Sequence, residues 1–197
     1  KDDYIKKSKI LSWYDQFLEH LQSYLNSYTP PQINAITIPK APSTDGQITV
    51  MFSDLHIGKV EWEKVVERIR MIAKDIMTRP EWVVNLICLW DLVETLVKWG
   101  MHKGQIESME WVFGFDLLMK AVNVIEELIY SIYSSGKKVK MYGIGGNHDR
   151  FTEKFEDGYD GIAAEVIYEL ISRWIKNVDA EITVLREKWT AVELDGI

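Results

Sequence analysis

A chain of 197 residues that is 47% hydrophobic and 27% charged has an ordinary globular composition, long enough for one packed α/β domain, which excludes a disordered or low-complexity chain. No apolar run reaches the roughly 18 to 20 residues of a membrane span, and the first residues lack the apolar core of a secretory signal, so a cytoplasmic protein without membrane association is expected. The net charge of -7, with no stripe of Lys and Arg, excludes binding of nucleic acid through side-chain neutralisation of phosphates alone.

Residues 3 to 28 carry Ile10, Tyr14, Phe17, Leu18, Leu21, Leu25 and Tyr28 at three-and-four spacing, which predicts an amphipathic helix ended by Pro30 and Pro31. The connector "TPPQINAITIPKAPSTDGQ" then separates this appendage from the rest, giving an expected division into a helix (1–28), a linker (29–46) and a domain (47–197). Packing on the domain is the first expectation for the helix; a protein partner or a second copy of the chain is the other. "ITVMF" predicts a buried strand ending in "SDLHIGK", and "WEKVVERIRMIAKDIM" a helix up to the Arg79-Pro80 break. "WVVNLICLW" is short and β-branched, a second strand, running into "DLVE"; Cys88 within it reads as a small buried hydrophobe.

Residues 106 to about 134 predict a helix stopped by Gly136. "VKMYGI" is the third strand and runs into "GGNHDR"; a helix from about Asp160 to Trp174 and strands at "EITVL" and "TAVEL" complete the pattern. The chain begins at Lys1 and stops after Asp-Gly, a hairpin signal with one following residue, so both ends are expected to be cut from a longer protein. Alternating strand and helix is the order of a parallel sheet with right-handed crossovers, and ligands in such sheets bind at the carboxyl ends of the strands. Each of the first three strands delivers polar residues at that end: Asp54 and His56, then Asp91 and Glu94, then Asn147, His148 and Asp149.

Carboxylate, imidazole and amide oxygen suit a divalent ion such as manganese, iron(II) or zinc, and the lack of clustered cysteines argues against a thiolate site. The motifs "DLH" (54–56), "DLVE" (91–94) and "GNHD" (146–149), each after an apolar strand, resemble those of the calcineurin-like metallophosphoesterases. Within that family the spacing is similar to phage and bacterial phosphoesterases related to the DNA-repair exonuclease subunit SbcD. The resemblance implies an α/β/β/α sandwich, here truncated on its C-terminal side. It also implies a phosphodiesterase acting on DNA, in which hydroxide on one of two divalent ions (manganese first, with iron, zinc or magnesium as alternatives) attacks phosphorus.

Carried over by position, Asp54 and His56 would hold the first ion, Asp91 would bridge, and Asn147 would hold the second. His148 would serve the leaving oxygen with Asp149 orienting its ring, and Arg150 would meet phosphate. The chain departs from the family at two places: Trp90 stands where the family has Gly, and no histidine follows His148. A catalytically weakened interaction module on the same fold is therefore the alternative to an enzyme. Glu94 reads equally as a site residue or a solvated loop carboxylate, His102 as a surface residue, and His20 as structural or exposed. The aromatic residues read mostly as core or rim.

Overall fold

The computed structural model describes residues 19, 23, 26, 27, 44–94, 96, 114–150, 161–175 and 178–186. The chain divides into two units, Lys1–Pro31 and Gln32–Ile197. In the first, the four described residues are helical, and the Ser27 hydroxyl donates to the Ser23 carbonyl one turn back. The rest of the predicted N-terminal helix, the strand expected at "TAVEL", His20 and His102 lie outside the described residues.

The second unit alternates strand and helix: β1 (Thr44–Ser53), α1 (Trp62–Thr78), β2 (Glu81–Leu89), α2 (Gly114–Ser134), β3 (Lys138–Ile144), α3 (Ile162–Trp174) and β4 (Ala180–Leu185). The four strands form one parallel sheet in the order β1-β2-β3-β4. This is the expected α/β class with a parallel sheet; the described elements make up one sheet and one helical layer.

α1 buries Val65, Ile69, Ala73 and Ile76, a three-and-four stripe, and ends where the Arg79 amide bonds back to the Ile76 carbonyl just before Pro80. α2 is apolar around most of its circumference and packs against both α1 and α3, so its burial of Leu118, Val122, Ile125 and Ile129 follows from its central place. One sheet face is fully buried through Val84, Leu86 and Cys88 of β2 and Val139 and Met141 of β3. On the other face Met51, Ile87 and Tyr142 lie in register, and Met51 is 67% exposed.

The consequence for function is positional. Ser53, Leu89 and Ile144 share the last register line, so the segments after β1, β2 and β3 leave the sheet side by side at one edge. Each glycine of "GIGG" answers a close approach there. A Cβ on Gly143 would lie 2.5 Å from the buried Tyr168 ring, one on Gly145 would meet the Gly161 backbone at 2.4 Å, and one on Gly146 would meet Asp91 Oδ1 at 2.3 Å. Side chains would force these strands and loops apart.

Candidate metal centre

The segments after β1 and β2 stay zipped together beyond the sheet. The Asp54 amide donates to the Trp90 carbonyl, His56 to Asp91 and Ile57 to Leu92, while the Glu94 amide returns to Ile57. Apolar residues anchor both segments, since Leu55, Ile57, Leu92 and Val93 are buried. The residues between them are thereby turned outward onto a common edge.

That turn requires left-handed backbone at four non-glycine positions: Asp54 (φ 54°), His56 (φ 43°), Trp90 (φ 47°) and Asp91 (φ 50°). Such conformations cost of order 1 to 3 kcal/mol each and persist only where the surroundings impose them. Three of these four are proposed ligands from the sequence, and the fourth adjoins one. Sequence periodicity alone ends the strands here but gives no sign of the reversed dihedral.

Asp54, His56 and Asp91 each offer one ligand atom, and these lie within 4.8 Å of one another. Bonds of about 2.0 to 2.2 Å to one ion place donor atoms up to about 4.4 Å apart, so a small contraction seats a cation. Asp54 is exposed, His56 half-buried and Asp91 nearly buried, which leaves the seat open on one side. His56 turns Nε2 toward Asp54 Oδ1 at 3.7 Å, and its Nδ1 lies 2.8 Å from Glu94 Oε2. A carboxylate at one ring nitrogen fixes the orientation of the imidazole and leaves the other nitrogen for a metal. The donor set thus fits one divalent ion.

Glu94 is the residue that sequence reasoning left open, and it proves to be a hub. Its carboxylate is 2% exposed and meets His56 Nδ1, Lys59 Nζ at 3.3 Å and His148 Nδ1 at 3.4 Å. Burial alone would raise its pKa, but the His56 contact and the charges of His148 and Lys59 outweigh it and hold the carboxyl at about 2. His56, Glu94 and His148 also form a second cluster of potential metal donors. Lys59 already neutralises that cluster, so a proton-holding network suits it better than a second cation. The signal available in the sequence was an acidic residue three positions after Asp91, directly following the apolar pair Leu92 and Val93.

The third segment supplies the rest. His148 stands edge-on to His56, with ring centroids 5.0 Å apart, and its backbone amide donates to Asp91 Oδ1 at 2.9 Å. Asp149 was expected to orient the His148 ring; the carboxylate facing that ring is Glu94. Asp149 is fully buried and accepts from the amides of Val93 at 2.8 Å and Gly146 at 2.7 Å, so it ties the second and third segments together. Asn147 is exposed on the turn, with its carbonyl accepting from Arg150 Nε. Arg150 also bonds through its backbone to His148 and Leu96. Trp90, which stands where the resembled family has Gly, is 56% exposed, and its φ of 47° explains why a glycine suits this position.

Two predictions arise here. Glu94→Gln keeps the shape but removes the charge that holds both rings, and manganese affinity measured by calorimetry is expected to fall roughly 10- to 100-fold. An unchanged affinity would remove Glu94 from the site. The second concerns pH in metal-free protein. Glu94 stabilises the fold above its ordinary value of 4.5 and loses that contribution as pH falls toward 2. His56, raised above 6.5 chiefly by the Glu94 carboxylate, contributes fully below 6.5 and loses it as pH rises through its folded value. Asp149, pushed up to about 6 by burial, contributes fully below 3.8 and loses it as pH rises through about 6. Thermal melts in chelator are therefore expected to peak at about pH 4, where the Glu94 contribution is largely gained and that of Asp149 largely kept, and to decline from there toward pH 8. A melting temperature rising steadily across that range would contradict the assignment.

Compared with known proteins, the chain matches no family model, no curated protein and no solved structure.

Proposed function

We propose that the chain is a divalent-metal phosphodiesterase of the calcineurin-like metallophosphoesterase type, acting on nucleic acid. The observation that carries this reading is the gathering of Asp54, His56 and Asp91, from two separate strand ends, by strained left-handed backbone at Asp54, His56 and Asp91 themselves. Packing alone gives no reason to hold acidic and imidazole groups in that strain.

In this reading Asp54 Oδ, His56 Nε2 and Asp91 hold the first ion, and Asp91 with Asn147 contributes to a second. Bound there, divalent ions supply Lewis acidity toward phosphoryl oxygens and acidify water near neutral pH, and they provide the positive charge that a chain of net charge -7 lacks. The protein's own groups do the remaining work. Glu94 faces His148 Nδ1 at 3.4 Å, and His148 stands beside the ligand cluster, placed to deliver a proton to a leaving oxygen. Lys59 limits the negative charge of Glu94, and Asp149 fixes the loop that carries His148.

The test is manganese-dependent hydrolysis of bis(4-nitrophenyl) phosphate by the purified chain, with calorimetric titration of the metal alone. Turnover that requires the metal supports the enzyme. Metal binding without turnover favours the second reading, a phosphoesterase-type interaction module, for which the observation is the short ligand set available to a second ion among the described residues.

A further inference from the structure

Resting on the phosphodiesterase reading, we propose that Trp90 is a stacking platform for a nucleobase beside the phosphate, so that the substrate is a nucleic-acid strand with an unpaired base. Trp90 lies between the end of β2 and Asp91, and its Cβ is 2.9 Å from where a Cβ on Gly146 would sit. The side chain therefore starts where the second and third segments meet, against Gly146 and beside Asp91.

Among the described residues, no hydrogen bond at this position asks for an indole. The Trp90 amide donates to the Ile144 carbonyl at 3.0 Å and its carbonyl accepts from the Asp54 amide at 3.2 Å, bonds that any residue makes and that glycine would make without strain at φ 47°. Burial does not account for it either, because the side chain is 56% exposed. A large aromatic residue is thus left more than half exposed, in an unfavourable conformation, next to Asp91, which would hold a metal ion.

The charge of the chain supplies a second, independent reason. With a net charge of -7 and no cationic stripe, the protein lacks the usual means of gripping a phosphate backbone. Stacking on a base adds affinity without cations, and the aromatic group that accompanies a biological phosphodiester is a nucleobase. A paired base is sealed within its duplex, so the platform selects single-stranded or frayed ends.

The experiment compares binding of a short single-stranded deoxyoligonucleotide with phosphorothioate links and of an abasic strand with the same backbone, by fluorescence anisotropy in manganese. Wild type is expected to prefer the base-bearing strand roughly ten-fold. Trp90→Ala should erase the preference and Trp90→Phe should keep most of it. Trp90→Gly should erase it too while melting no lower than wild type, since it relieves the backbone. Equal affinity of wild type for the two strands, binding of neither, or a preference that survives Trp90→Ala overturns the proposal. Hydrolysis of bis(4-nitrophenyl) phosphate separates the two ideas: turnover without base preference sinks the stacking role alone, and base preference without turnover sinks the enzyme alone.

Discussion

Asp91→Asn is expected to lower metal-dependent phosphodiesterase activity on the order of 10²- to 10³-fold, equivalent to about 3 to 4 kcal/mol of transition-state stabilisation. Asp91 sits where the two proposed ion positions would meet, so loss of its charge weakens both at once. The substitution is chosen because it spares the fold. Asp91 Oδ1 accepts the His148 amide at 2.9 Å, and an asparagine oxygen can accept the same bond. Melting temperature in chelator should therefore stay near that of wild type while manganese binding and turnover collapse together. Turnover that survives at more than a tenth of the wild-type rate would mean that the metal, if bound, sits elsewhere, and the proposed seat would be wrong.

Much of the scaffold was legible because its elements obey simple periodicities. The stripe of Val65, Ile69, Ala73 and Ile76 and the β-branched run before Trp90 announce α1 and β2, and Pro80 marks the break between them. The parallel arrangement follows from alternation, and from it comes the placement of Asp54, Asp91 and His148 at one edge. The roles inside the cluster were less legible, because they depend on which way a side chain turns once the chain has left the strand. Glu94 and Asp149 are both acidic and both follow an apolar strand. One is turned toward two imidazoles and a lysine, the other toward two backbone amides. Spacing in sequence cannot separate these outcomes; left-handed backbone at Asp91 and the close approach at Gly146 decide them.

That difference between the two carboxylates yields the largest expected effect on stability. Asp149→Ala strands two buried amide donors, those of Val93 and Gly146. Each unsatisfied buried donor costs about 1 to 3 kcal/mol, so a loss of roughly 3 kcal/mol is expected, or about 6 to 12 °C in melting temperature for a domain of this size. Asp149→Asn should fall between, because one amide oxygen still accepts while the NH2 group is left facing an N–H donor. If Asp149 acted instead by orienting the His148 ring, both variants would cut turnover while leaving the melting temperature in place. If it is a brace, stability falls first, and whatever activity is lost follows from the loosened loop that carries Asn147 and His148. Measuring melting temperature and turnover on the same preparations decides between the two, and the brace predicts that Asn recovers part of both together.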